Sequence, residues 1–263
     1  MARFCSLFSS SSGNSTFISS ASTSILIDAG VSARRMVKAL SEREIDPKTI
    51  GGIFITHEHT DHINAVRILA SNNGIPVYAT KGTLEALNEN GVLNGKFPVN
   101  VMPEEGTEVG DLFIKSFKTP HDSSESCGYT IMMPDGQKVS VATDIGHMTE
   151  EIMNNLKGSS LVMLESNHDE GMLRNGPYPY YLKRRILSDV GHLSNNACAE
   201  TVTELLKSGT SRFFLGHLSR DNNFPALAYE TSASALKTIG AVEGRDFFLE
   251  VNKIENDCDV VRF

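Results

Sequence analysis

A chain of 263 residues with 40% apolar content is long enough to bury a sizeable core in one large domain or two small ones, which excludes a disordered tail. Its net charge of −8 argues against a surface that coats itself unaided with nucleic acid, but leaves room for a local basic track. The first 30 residues lack the basic start and unbroken apolar run of a secretory signal, and no segment approaches the ~20 apolar residues of a membrane span, so a cytoplasmic protein with no membrane partner is expected.

In chain order, short β runs alternate with helices and no Pro/Gly/Ser linker divides them, which predicts one α/β unit. "FCSLF" and "STFIS" flank the turn "SSSSGN" as a hairpin, and "SILIDAG" follows as a third strand. After the helix "SARRMVKALSERE" comes a buried strand, "GGIFI", with "HEHTDH" hanging from its end. The helix "INAVRILAS", the strand "PVYA" and the helix "GTLEALNEN" come next. "DLFIKSFKTPHD" reads as a strand, and "CGYTIMMPDGQKVSVATDIG" as a hairpin turning at "PDG". The helix "EEIMNNLKG" leads into the strand "LVMLE", followed by a Tyr- and Pro-bearing connection and a basic helix near "YLKRRILSD". A helix N-capped by Ser194, the strand "RFFL", one more helix and the terminal strands "DFFLEV" and "DVVRF" complete the chain. Cys5, Cys127, Cys198 and Cys258 lie far apart with no CxxC pair, which favours reduced thiols over disulfides or a zinc knuckle.

Five apolar runs end in polar chemistry: "HEHTDH", "TPHD", "ATDIG", "LESNHD" and "LGHLSRDN". Strand ends on one edge of a sandwich can converge on a single site. If "HEHTDH" is extended, His57, His59 and Asp61 lean one way and His62 the other, so the motif can serve two adjacent metals. Imidazoles with carboxylates form a mixed site that accepts Zn, Mn, Fe or Ni. Each later candidate has a plainer reading: His121 as a surface histidine after a proline, and Asp144 as a turn cap. His192 competes with His217, since both follow Gly and precede Leu-Ser.

In order and separation, His57, His59, Asp61, His62, His121, Asp144 and His217 resemble the motif series of the metallo-β-lactamase fold superfamily. The resemblance covers nearly the whole chain and implies a single domain over 1–263, a four-layer αββα sandwich with its site on one edge of two sheets. It implies two divalent metal ions, the first on His57, His59 and His121, the second on Asp61, His62 and His217, with Asp144 bridging. His217 is preferred to His192 because it ends "RFFL" and stands last, as the final ligand does in that superfamily.

Histidine at position 62 and the lack of a cysteine at a later ligand position set the chain apart from β-lactamases. "LESNHD" and "GHLSN" resemble accessory motifs of nuclease members such as ribonuclease Z, which help protonate the leaving oxygen. More narrowly, "SSSSGNST", "ESNHD", "YPYYLKRRILSDVGHLSN" and "HLSRDNN" resemble the YycJ (WalJ) family. That resemblance implies 5'-to-3' exonuclease activity on DNA and a place in mismatch repair, with a DNA free 5' end as partner. Asp61 or Asp144 is then expected to take the proton of the attacking hydroxide. His192 backed by Glu165 is the expected donor to the leaving oxygen, and His168 is a reserve donor or a partner orienting a ligand histidine.

Lys183, Arg184 and Arg185 of "LKRR", with Arg220, are candidate phosphate contacts. Helical positions point ~100° apart, so one or two of the three can face a groove and a solvated face is the alternative. Tyr178, Tyr180 and Tyr181 can stack on bases or pack on the sandwich. Ser12 and Asn14 of "SSSSGN" can hold a terminal phosphate or form an ordinary turn. Two other classes fit the scaffold: a thioester hydrolase of the glyoxalase II type and a metal-binding regulatory module without turnover.

Overall fold

The computed structural model describes residues 2–254 and 260–263. Two seven-stranded sheets are stacked, each built by the same plan of antiparallel strands followed by parallel ones. In the first, β1 (Arg3–Ser10), β2 (Gly13–Ser19) and β3 (Ser24–Ile27) are antiparallel, and β4 (Ile50–Phe54), β5 (Val77–Ala79) and β6 (Val99–Val101) continue in parallel. In the second, β7 (Thr107–Val109), β8 (Leu112–Lys118), β9 (Cys127–Met132) and β10 (Lys138–Ala142) are antiparallel, and β11 (Leu161–Glu165), β12 (Arg212–Gly216) and β13 (Phe248–Val251) are parallel. The terminal strand β14 (Val261–Arg262) crosses back to β1; Asp259, the first residue of its expected range, and Cys258 lie outside the described residues.

Helices α1 (Ala33–Ser41), α2 (Thr60–Ile63), α3 (Val66–Asn73) and α4 (Lys81–Glu89) belong to the first half. α5 (Glu150–Leu156), α6 (Glu170–Asn175), α7 (Tyr180–Ile186), α8 (Asn195–Lys207) and α9 (Pro225–Thr238) belong to the second. Strand alternation assigns the layers. Ile25 and Ile27 of β3, Phe54 of β4, Ile131 of β9 and Phe214 of β12 point between the sheets. Their neighbours Leu26 and Ile53 face outward onto Met36, Leu40, Leu69 and Leu87 of α1, α3 and α4. Phe213 and Leu215 likewise face Val202, Leu205 and Leu236 of α8 and α9, with Ile152 of α5. The order helix, sheet, sheet, helix is the expected αββα sandwich.

Two expectations need correction. The helix expected over "INAVRILAS" is broken: α2 ends at Ile63 and α3 starts at Val66, because Ala29 donates its N–H to the His62 carbonyl at 2.8 Å and accepts one from Ala65 at 2.8 Å. Nor is "HEHTDH" extended throughout, since His59 N-caps α2 and the His62 N–H closes a turn on the His59 carbonyl at 2.9 Å. β6, β7 and α6 were not expected; the two strands have three residues each and α6 buries only Leu173, too little for a periodic signal.

The topology aims the strands. β1, β3 and β4 run in one direction, as do β8, β10, β11 and β12, and their carboxyl ends share the edge where the polar clusters meet. Ligand sites of open α/β sheets form at such ends. No helix among the described residues is long and apolar enough to cross a membrane.

Candidate metal centre

The segment after β4 is pinned to the opposite sheet before it reaches the histidines: the buried Tyr129 hydroxyl donates to the Ile55 carbonyl at 2.7 Å, and the Cys127 N–H to the Thr56 carbonyl at 3.0 Å. His57 and His59 follow on extended backbone, and the α2 turn then presents Asp61 and His62. His121 follows β8, Asp144 follows β10, and His217 follows β12. Asp144 and His217 adopt left-handed backbone with φ of 59° and 56°, and Asp28, just past β3, does so with φ 61°. Apart from Glu44, these are the only non-glycine residues with positive φ among those described, so backbone strain is concentrated at this edge.

Four of the rings, those of His57, His62, His121 and His217, are each held by one nitrogen, so that the other turns inward. His62 Nδ1 donates to Asp28 Oδ2 at 2.7 Å, His121 Nδ1 to the Gly191 carbonyl at 3.1 Å, and His217 Nδ1 to Glu165 Oε1 at 2.7 Å. His57 Nδ1 meets Thr56 Oγ1 at 3.0 Å, whose own proton goes to Asp28 Oδ2 at 2.9 Å. These bonds select the tautomer that frees Nε2. His57 Nε2 lies 3.0 Å from His59 Nδ1, which lies 3.4 Å from His121 Nε2. Ligand atoms of His57, His59 and His121 fall within 4.8 Å of one another, as do those of Asp61, His62 and His217. Asp144 joins two further groups of this kind, one with His57 and His62, the other with Glu165, His192 and His217.

The charges are poised for a cation. Burial disfavours ionised Asp144 and Glu165, yet surrounding histidines outweigh it: Asp144 is held well below the usual carboxylate range and Glu165 at about 2. Burial likewise disfavours protonated His62 and His217, but nearby carboxylates outweigh it, raising His62 well above the usual value and His217 to about 10. Asp28 is the exception, since burial dominates over His62 and raises it. Thus the carboxylates of this seam demand positive charge, which protons supply here and metal ions would supply by displacing them. Asp144 Oδ2 and His217 Nε2 are buried without a hydrogen-bond partner, as expected of donors reserved for a metal. The residues present fit divalent metal binding.

A match to the Beta-lactamase superfamily domain spans residues 23–218. The chain is 36% identical over 249 residues to "Exodeoxyribonuclease WalJ" of Streptococcus pneumoniae serotype 2 (strain D39 / NCTC 7466), covering 93% of this chain and 92% of that protein. It is 34% identical over 248 residues to "Exodeoxyribonuclease YycJ" of Bacillus anthracis, with 93% and 92% covered. The chain belongs to the WalJ/YycJ family. Among solved structures, Zn(2+)-bound PqqB from Methylobacterium extorquens aligns over 100% of both chains with a TM-score of 0.75 at 16% identity. The metallo-beta-lactamase fold protein YhfI from Bacillus subtilis aligns over 97% of this chain and 98% of its own, with a TM-score of 0.72 at 13% identity. At these identities the likeness concerns the fold.

Around the centre of this WalJ/YycJ family member, the other residues singled out in the sequence divide. Glu165 is fully buried: Oε1 accepts from both His217 and His192, at 2.7 and 2.9 Å, and Oε2 accepts the N–H groups of Ile145 and Leu193 at 2.7 and 3.1 Å. His192 borders a cavity of about 520 Å³ that His168 also lines. His168 is 1% exposed, neither ring nitrogen has a partner, and burial lowers its pKa to about 4. Asn14 enters the site itself, its Nδ2 3.1 Å from His62 Nε2 and 3.4 Å from Asp61 Oδ2, while Ser12 is exposed and its Oγ lies 2.9 Å from Ser10 Oγ.

The three basic residues of α7 have three fates. Lys183 Nζ donates to the carbonyls of Arg174 and Gly176 at 2.9 and 2.7 Å, and Arg185 pairs with both oxygens of Asp122, next to His121. Arg184 lies over the exposed Tyr180 ring at 6.0 Å. Tyr181 is also exposed, whereas Tyr178 donates to Asp221 at 2.7 Å. The residue that sequence reading missed is Asp28. Its only trace was an aspartate closing the strand "SILI".

Proposed function

We propose that the chain is a metal-dependent exodeoxyribonuclease that holds two divalent cations and degrades DNA from a free 5' end in the service of DNA repair. The observation that carries this reading is Asp144, buried, with Oδ2 3.3 Å from His62 Nε2 but without a hydrogen bond, and grouped with histidines of both halves of the cluster. Identity of 34–36% to named exodeoxyribonucleases supports the substrate class. His57, His59 and His121 would hold one cation, Asp61, His62 and His217 the other, and Asp144 both. Zn, Mn, Fe or Ni bound there supplies a lowered pKa for an attacking water and neutralises the charge of the phosphate.

The chain's own residues do the rest. Asp61 or Asp144 orients the attacking water by accepting its proton. His192 gives the leaving 3' oxygen a proton from Nε2, because its Nδ1 is committed to Glu165. With its pKa at about 2, Glu165 stays ionised and stabilises the imidazolium. His168, with its pKa at about 4, is uncharged near neutral pH and offers no imidazolium proton, which favours His192 as donor.

The test is incubation of the purified chain with 5'- and 3'-end-labelled single- and double-stranded DNA and RNA in Mn, Zn or Mg. Release of nucleotides from the 5' end of DNA is expected, and Asp144→Ala should lower it at least about a hundredfold. Undiminished activity in Asp144→Ala would sink the assignment. Hydrolysis of a glutathione thioester without cleavage of DNA would favour the thioesterase class, and bound metal without hydrolysis of any ester the regulatory one.

A further inference from the structure

A cavity of about 730 Å³ lies on the other flank of His217 and takes no part in the chemistry above. We propose that it holds a nucleotide of the bound strand, with the base against Phe224 and a phosphate between Arg220 and Lys253; the identity of the ligand rests on the nuclease reading. Among the described residues the lining contains Ser9, Ser219, Arg220, Phe224, Asn252 and Lys253 but no carboxylate, in a chain where 32 acidic residues outnumber 24 basic ones. Among the described residues neither Arg220 nor Lys253 has an ion-pair partner, so both charges are available to an anion.

Phe224 is 50% exposed, which leaves a ring face open to a base. It is also the N-cap of the 14-residue α9 and brings no capping side chain, which leaves the positive end of the helix open toward the cavity. Asn252 is the independent sign of a ligand: it lines the cavity, is 4% exposed, and its Nδ2 has no acceptor. Cations beside an open aromatic face form the arrangement that binds single strands without reading their sequence.

The cavity is coupled to the metal centre by short links. Ser9 Oγ accepts the His217 N–H at 2.8 Å, and Ser219 follows His217 by two residues. The cavity beside His192 is a poorer place for phosphate, because Glu170, Glu200 and Glu204 line it.

The experiment is fluorescence anisotropy of a fluorescein-labelled 12-nucleotide single-stranded DNA with the full chain in EDTA across a salt series, beside hydrolysis of the same DNA in Mn. Phe224→Ala should weaken binding about tenfold or more with little change in salt dependence, and Phe224→Trp should restore it. Arg220→Gln and Lys253→Gln should each reduce the slope of log affinity against log salt by about one. Binding of the DNA by Phe224→Ala as by the unaltered chain, unchanged salt slopes, or no binding by the unaltered chain would each overturn the proposal. Weakened binding in these variants alongside an absence of cleavage by the unaltered chain would retain the strand site and remove the nuclease reading.

Discussion

Asp28 shows how much of the centre depends on residues that never face it. Its carboxylate accepts from His62 Nδ1, the Thr56 N–H and the Thr56 hydroxyl, and so fixes one ring directly and His57 through Thr56. Asp28→Asn should weaken metal at the Asp61, His62 and His217 group about 10–100-fold, and less at the His57 group, which it reaches only through Thr56. Zinc calorimetry should then resolve one strong and one weak event, and an unaltered isotherm counts against the role. His168 affects stability instead. Burial lowers its pKa to about 4, with His192 adding to the effect and Glu165, Glu170 and Asp169 opposing it. The unfolded chain therefore takes up this proton first, so stability is full above the unfolded pKa of about 6.5 and declines as pH falls toward 4. At pH 5 the loss amounts to roughly 2 kcal/mol. His168→Gln should flatten that part of the urea-midpoint profile; an equal slope in both proteins would contradict the argument.

At the scale of elements, the break between α2 and α3 turns a histidine-rich segment into a two-sided donor. The turn is seated on the loop after β3, where a Cβ on Gly30 would lie 1.6 Å from the Asp61 carbonyl oxygen. Gly30→Ala should therefore cost about 3 kcal/mol and perturb Asp61 and His62 together, read as a lower urea midpoint with loss of bound metal. In α7 the fates of neighbouring residues predict opposite phenotypes. Lys183→Met removes a clasp on two carbonyls and should lower stability by about 1–2 kcal/mol with DNA affinity unchanged, whereas Arg184→Ala should spare stability and reduce the salt slope of DNA binding by about one. Equal effects of the two on affinity would contradict this division.

At the scale of the molecule, the centre lies in the seam between the sheets, drawing Asp28, His57, His59, Asp61 and His62 from one side and His121, Asp144, Glu165, His192 and His217 from the other. A metal held there ties the halves together, so saturating zinc should raise the melting temperature. At a thousandfold excess over Kd a bound ion contributes about 4 kcal/mol, roughly 10 °C, and EDTA should reverse it. Much of this was legible in the amino-acid order: polar clusters behind apolar runs marked the strand ends, and the spacing of His57, His59, Asp61 and His62 marked the metal chemistry. What remained hidden was long-range. Asp28 acquires its meaning only from His62, 34 residues later, and the fate of Lys183 only from carbonyls at Arg174 and Gly176. Periodicity reports which face is buried and is silent about which loop meets which.

The division of donors between the two sheets also sets a timetable. His217 is the last of the centre's residues in chain order and hangs from a strand paired with β11, whose end carries Glu165. A nascent or half-folded polypeptide holds fragments of the centre and never the whole. Competence to cut is then reached only when the strands that carry the donors, from β3 to β12, are all in place.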